Sequence, residues 1–128
     1  MAIHLDWDDE HKRLILVRVD GRWTWGELER SLENAISMMD SVSHKVNFII
    51  DIRNGQMDLG SALGQIQKAA TPETHRNEGM KVVVGANRMI RSLYGAYRAL
   101  IQSMGKDQEF HFADTIDEAR AMIDSAGL

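Results

Sequence analysis

The sequence predicts a single-domain α/β fold built on a largely parallel sheet. Short segments typical of strands alternate along the chain with longer segments of helical periodicity, which indicates crossover units and parallel strands. The length of 128 residues suits one domain and allows a buried core without disulfides, and the chain has no cysteine. The predicted order of elements is β-β-α-β-α-β-α-β-α, and we interpret residues 1–128 as one domain.

The first two elements are predicted to be strands. Residues 3–7 alternate apolar and polar side chains, as expected of a half-exposed strand. Residues 14–19 are rich in branched side chains, and a short polar turn separates the two segments. Strands joined by a short turn form an antiparallel hairpin, and Asp20 and Gly21 are expected to end it.

A helix is predicted next because Thr24 and Glu27 have the spacing of a capping box. Helical periodicity continues to about Asp40. Its buried stripe is expected to consist of Trp25, Leu28, Leu32, Ala35, Ile36 and Met39.

The remaining elements repeat the alternation of strand and helix. Asn87 is a candidate helix cap, and Thr115 with Glu118 repeats the spacing of the first capping box. The further strands are predicted at 46–50, 81–86 and 109–113, and the further helices at about 61–70, 88–104 and 115–127.

Charge and hydropathy exclude several classes of function. With 15 Lys+Arg against 19 Asp+Glu, the net charge is −4, which gives no reason to expect binding to nucleic acid or to anionic lipid. No apolar segment approaches the ~20 residues needed to span a bilayer. The polar, acidic N-terminus is unlike a signal or transit peptide, so we expect a cytoplasmic protein.

The common catalytic and cofactor motifs are missing from the sequence. The five histidines show no metal-ligand spacing, and the glycines form neither a dinucleotide-binding motif nor a P-loop. We therefore predict no catalysis, no metal and no cofactor. A hydrolytic alternative would need a histidine within hydrogen-bond reach of Ser61, and His75 and His111 are the candidates.

The segment from residue 48 to residue 66 contains the main candidate site. A strand ending at Asp51 is followed by a glycine-containing loop, and a helix is predicted to begin near Ser61. Open α/β sheets bind ligands beyond the carboxyl ends of their strands, and a helix start favours a phosphate or carboxylate. Ser61 is interpreted first as a helix cap and second as a functional residue.

Residues 61–66, S-A-L-G-Q-I, resemble the S-G-L-G-x-L motif in the STAS domain of anti-sigma-factor antagonists. In that family the serine is phosphorylated by a partner kinase that is also an anti-sigma factor. The resemblance implies that Ser61 is the phosphoacceptor. The aspartate and serine that precede it in the motif are replaced here by Leu59 and Gly60, and Asp58 lies one residue too early.

Three further segments resemble the SpoIIAA-like branch of the STAS family: "WTWGELE", "VVVGANRMIRSL" and "FADTIDEARAMI". Members of this branch generally lack the phosphoserine motif. The resemblance covers nearly the whole chain and implies a non-catalytic regulatory or protein-interaction module. Its recognition face would be the loop 53–61 and the start of the following helix, with Arg53, Asn54, Asp58, Gly60 and Ser61 as partner-binding residues.

The helix predicted at 88–104 has a wider apolar arc than one sheet face requires. The surplus residues either pack on the C-terminal helix or form a partner surface, most simply in a homodimer. The candidate dimer surface consists of Ile90, Tyr94, Ile101 and Arg98. An alternative function is the binding of a small apolar ligand or lipid between this methionine-rich helix and the sheet.

Overall fold

The computed structural model of the chain describes residues 2–56, 75–105 and 110–126. It confirms the α/β class: a five-stranded mixed sheet is packed against helices. The strands are β1 (Ile3–Trp7), β2 (Leu14–Arg22), β3 (Val46–Gln56), β4 (Glu78–Val84) and β5 (His111–Ala113); the helices are α1 (Trp25–Asp40), α2 (Arg88–Ser103) and α3 (Ile116–Ser125). The helix predicted at 61–70 lies outside the described residues.

The strands lie side by side in chain order, β1-β2-β3-β4-β5. β1 is antiparallel to β2, and each of the remaining pairs is parallel, as the alternation of strands and helices predicts. β3 is therefore an inner strand, with β2 on one side and β4 on the other. The carboxyl ends of β2, β3 and β4 consequently meet at one edge of the sheet.

Both faces of the sheet are covered by helices. On one face, Ile15 and Phe48 pack with Ala35 and Met39 of α1. On the other face, residues of β2 to β5 pack with α3; this cluster consists of Leu16, Ile49, Val82, Val84, Ala113, Ala119 and Ile123. Successive residues of a strand point to opposite faces, which is why the adjacent Ile15 and Leu16 belong to different clusters.

Three of the strands are longer than predicted, and β4 is also displaced, because it covers Glu78–Val84 rather than residues 81–86. β3 continues five residues beyond Asp51 to Gln56, and β2 continues through Asp20 and Gly21, so the Asp-Gly pair does not end it. The register shifts along this extension, which indicates a β-bulge. Gly21 pairs with Gly55 across the two strands. Cross-strand pairing here overrides the local preference of glycine for turns.

The predicted stripe of α1 is only partly correct. The Thr24 cap is confirmed, because its Oγ1 accepts a hydrogen bond of 3.2 Å from the backbone N–H of Glu27. The buried residues are Ser31, Ala35 and Met39, whereas Leu32 and Ile36 are 53% and 47% exposed. The helix therefore approaches the sheet through smaller side chains than its apolar residues suggest.

The other two helix starts are confirmed. Asn87 Oδ1 accepts a hydrogen bond of 2.9 Å from the N–H of Ile90, and Thr115 Oγ1 accepts one of 3.1 Å from that of Glu118. Gly127, the predicted end of the last helix, lies outside the described residues. Within the described parts of the chain, no helix has the length and apolar character required to cross a membrane.

Candidate binding site at the carboxyl edge of the sheet

The candidate site lies where β3 and β4 end. Parallel strands bring their carboxyl ends to the same edge, and open α/β sheets commonly bind ligands there. We call this region the carboxyl edge. It comprises Asp51, Arg53 and Asn54 of β3, Gly85 and Ala86 after β4, and Arg88, Arg91 and Ser92 in the first turns of α2.

A hydrogen-bonded ion pair joins Asp51 to Arg53. Arg53 donates from Nε to Oδ1 and from Nη2 to Oδ2 of Asp51, each over 2.9 Å, and its backbone N–H donates to Oδ1 over 3.1 Å. The Asp51 side chain is 10% exposed, whereas that of Arg53 is 45% exposed. The pair thus fixes a partly exposed guanidinium on a nearly buried carboxylate.

The electrostatics of the pair keep both groups charged. Hydrogen bonds from the Arg53 side chain lower the pKa of Asp51, and they outweigh the opposing effect of burial. The backbone N–H of Arg53 and the charge of Arg18 lower the same pKa further. In turn, the carboxylate of Asp51 raises the pKa of Arg53. Both shifts favour the charged forms of the two groups, so the ion pair persists near neutral pH.

Gly85 gives Arg53 the space it needs. Its φ of +88° is a conformation that side chains other than glycine rarely adopt, and a Cβ at this position would overlap Cγ of Arg53. The glycine in V-V-V-G-A-N therefore allows the stem of Arg53 to pack against the backbone that leads into α2. This contact connects the end of β3 to the start of α2.

A cavity of about 480 Å³ opens beside the start of α2. The described residues that line it are Ala86, Arg88, Arg91 and Ser92. Arg91 is held in place because its Nε donates to the carbonyl oxygen of Ala86 over 3.2 Å and its Cζ lies 5.0 Å from the centroid of the Phe112 ring. Arg88 and Ser92 are exposed.

The predicted partner-binding residues are only partly described. Arg53 and Asn54 lie at the carboxyl edge and are exposed, although they belong to β3 rather than to a loop. Asp58, Gly60 and Ser61 lie outside the described residues. Both interpretations of Ser61, helix cap and phosphoacceptor, therefore stay predictions.

His75 lies far from the carboxyl edge. It precedes the first residue of β4, and its Nε2 lies 2.7 Å from Oδ1 of Asp40 at the end of α1. Its Nδ1 accepts a hydrogen bond of 3.0 Å from the N–H of Asn77. His111 is the first residue of β5 and pairs with Val82. His75 therefore connects α1 to the start of β4 at the amino edge of the sheet.

The predicted dimer surface on α2 is narrower than expected. Ile101 is fully buried in the chain itself, so it cannot contact a partner. Tyr94 packs on Phe110 and Phe112, each with ring centroids 5.3 Å apart, and its hydroxyl oxygen accepts a hydrogen bond of 2.9 Å from the N–H of Phe110. Ile90 and Arg98 are half-buried.

These contacts of Tyr94 also bear on the predicted apolar pocket. The aromatic rings lie between α2 and β5, and the described residues that line the cavity at the carboxyl edge include two arginines. The apolar-ligand alternative stays a prediction. In the described residues, no group of three histidine, aspartate or glutamate side chains is arranged to hold a metal ion.

Arg88, Arg91 and Ser92 were not among the site residues predicted from the sequence. The sequence feature that could have indicated this region is the glycine of V-V-V-G-A-N, because a glycine can mark a close approach of the backbone to a neighbouring group. The pairing of Asp51 with Arg53 was also missed, although two residues apart in a strand share a face.

A comparison of the sequence with models of known protein families finds no match, and a search of curated proteins finds no significantly similar sequence.

Proposed function

We propose that the chain is a non-catalytic interaction module of the STAS, SpoIIAA-like type that binds a protein partner through the carboxyl edge. The observation that carries the proposal is the ordered guanidinium of Arg53. Two hydrogen bonds fix it on Asp51, yet 45% of the side chain is exposed. An arginine that is already ordered loses little entropy on binding, and arginine is common among interface anchors. Asn54 extends this surface with an exposed amide.

The sheet supports the same proposal. Its five strands begin with an antiparallel pair and continue in parallel, which fits the resemblance to the SpoIIAA-like branch. A regulatory module of this type needs a rigid edge that a partner can recognise. The packing of Gly85 on Arg53 supports such rigidity.

Regulation at Ser61 is a subordinate part of the proposal. An anti-sigma-type kinase is the partner that the resemblance implies. Incubation with the kinases of the host, followed by mass spectrometry, should detect one phosphate on the wild-type chain and none on Ser61→Ala. A known antagonist labelled in the same reaction is the positive control. An unmodified Ser61 beside a labelled control would remove this part of the proposal.

We propose in addition that the chain forms a homodimer through the outer side of α2. Met89 is 56% exposed on this helix, and Ile90, Tyr94 and Arg98 are half-buried, whereas Ile101 is fully buried. Ile90→Lys should shift the sedimentation coefficient from dimer to monomer. Leu32→Lys on α1 is the matched control and should leave the dimer intact. A wild-type chain that sediments as a monomer would contradict the proposal.

Site-specific crosslinking tests the recognition surface directly. A photoreactive amino acid placed at Asn54 is expected to crosslink one partner in host cells, and excess unlabelled chain should compete with that product. The same amino acid at Glu33, an exposed position on α1, should not give the product. Equal crosslinking from both positions, or a product from Glu33 alone, would rule out the carboxyl edge as the recognition surface.

A further inference from the structure

We propose that the cavity at the start of α2 binds a phosphate monoester. The described lining residues offer two guanidinium groups, from Arg88 and Arg91, and the hydroxyl of Ser92. Guanidinium groups match the geometry of phosphate oxygens and bind them with paired, charge-assisted hydrogen bonds. No carboxylate is among the described residues that line the cavity. This inference goes beyond the proposed function, because it requires no protein partner.

Arg91 is ordered before any ligand arrives. Its Nε is engaged by the carbonyl oxygen of Ala86, and the guanidinium lies over the ring of Phe112. The hydrogen bond to Ala86 uses one of the three guanidinium nitrogens. A guanidinium that is fixed through one nitrogen can bind a ligand with the others at a small further loss of entropy.

The charge of α2 supports an anionic ligand. The helix carries Arg88, Arg91 and Arg98 and no aspartate or glutamate, although the whole chain has a net charge of −4. By contrast, α1 contains four acidic residues and one arginine. The cavity therefore lies beside the one described helix with a net positive charge, and an anion would gain from that field.

The number of donor groups and the size of the cavity identify the class of anion. Three donor groups can each engage one of the three terminal oxygens of a phosphate monoester, whereas a carboxylate offers only two oxygens. A cavity of about 480 Å³ is also much larger than a phosphate group and lies within the range of ligand sites, roughly 300–1,000 Å³. The surplus volume leaves room for the organic part of an ester.

The test is an NMR titration of the full chain at constant ionic strength with three probes. Phenyl phosphate is the ester, phenylacetate is the carboxylate of similar shape, and inorganic phosphate is the free ion. We expect saturable shifts of the Ser92 amide and the Arg91 Nε–H with phenyl phosphate, and at least a severalfold weaker response to the other two. A saturable response to phenyl phosphate that is not preferred over phenylacetate would overturn the assignment to phosphate. Equal affinity for inorganic phosphate would assign the cavity to the free ion and overturn the monoester.

Two charge-matched variants locate the binding. Arg88 is exposed, so Arg88→Gln should fold normally and weaken the binding of phenyl phosphate about tenfold. Arg30→Gln removes the same charge from α1 and should change the affinity less than twofold. No saturable shift in the wild-type chain, or equal losses in both variants, would overturn the proposal. Because only the isolated chain is used, such a failure leaves the proposal of a protein partner standing.

Discussion

Replacing Gly85 with alanine tests whether this residue positions Arg53. The new Cβ would overlap Cγ of Arg53, and the backbone would have to hold a φ of +88°. The positive φ costs roughly 1–2 kcal/mol for a residue with a side chain. Displacing Arg53 from Asp51 weakens a charge-assisted pair, which we take as about 1 kcal/mol because the arginine is 45% exposed. We therefore expect the free energy of unfolding to fall by about 2–3 kcal/mol.

Substitutions at two other glycines separate the backbone cost of the positive φ from the cost of displacing Arg53. The free energy of unfolding is measured by urea denaturation followed by circular dichroism. Gly105 has a φ of +79° and open space around its Cβ position, so Gly105→Ala should cost only the backbone contribution, about 1–2 kcal/mol. Gly95 lies inside α2 in open space, so Gly95→Ala should stabilise the chain by about 0.5–1 kcal/mol. In an Arg53→Ala background, Gly85→Ala should cost less than in the wild type, but somewhat more than Gly105→Ala, because Cα and Cβ of residue 53 remain 3.2 and 3.3 Å from the new Cβ. A Gly85→Ala loss no larger than that of Gly105→Ala in the wild-type background would refute the reasoning.

Three further predictions concern single side chains. Hydrogen bonds from Arg53 lower the pKa of Asp51 from its ordinary value of 3.8. The Asp51–Arg53 pair therefore stabilises the fold above that pH, and this stabilisation is lost as the pH falls below it. Asp51→Asn should consequently show a smaller drop in the urea midpoint between pH 7 and pH 3 than the wild type. The carboxylate of Glu27 accepts a hydrogen bond from the backbone N–H of Ala2, so Glu27→Gln should speed hydrogen exchange at the Ala2 amide, whereas Glu29→Gln should not. The buried Asn77 donates to two backbone carbonyls at the end of α1, so Asn77→Ala should cost about 1–3 kcal/mol in urea denaturation, against less than about 0.5 for the exposed Asn54→Ala.

Local signals in the sequence predicted the helix starts. The side chains of Thr24, Asn87 and Thr115 each bond an N–H three residues later, so the pattern and the contact lie within one turn. The alternation of short and long segments also predicted a largely parallel sheet that begins with an antiparallel strand. The mixed sheet could be predicted because crossover connections leave few alternatives.

Features that depend on pairing between distant segments were not predicted. The extension of β3 to Gln56 results from its pairing with the end of β2, and glycines in both strands resembled turns locally. The exposure of Leu32 and Ile36 depends on how α1 is rotated on the sheet, which the periodicity of apolar residues did not determine. The burial of Ile101 depends in the same way on packing beyond its own helix.

Of the residues predicted to bind a partner, Arg53 and Asn54 lie exposed at the carboxyl edge, whereas the arginines beside the cavity were not predicted. The rule that ligands bind beyond the carboxyl ends of parallel strands pointed to Arg53 and Asn54. The cavity residues Arg88 and Arg91 follow the next strand, more than thirty positions later in the chain, and only the sheet brings the ends of β3 and β4 to one edge.

The most direct measurement is the affinity of the partner crosslinked at Asn54 for the Arg53→Lys chain. Lysine keeps the positive charge but cannot reproduce the planar, paired hydrogen bonds of the guanidinium. With both chains shown to be folded, we predict binding about tenfold weaker than that of the wild type, while Arg30→Lys stays within twofold. An Arg53→Lys affinity equal to that of the wild type would contradict the role of this arginine as the anchor of the carboxyl edge.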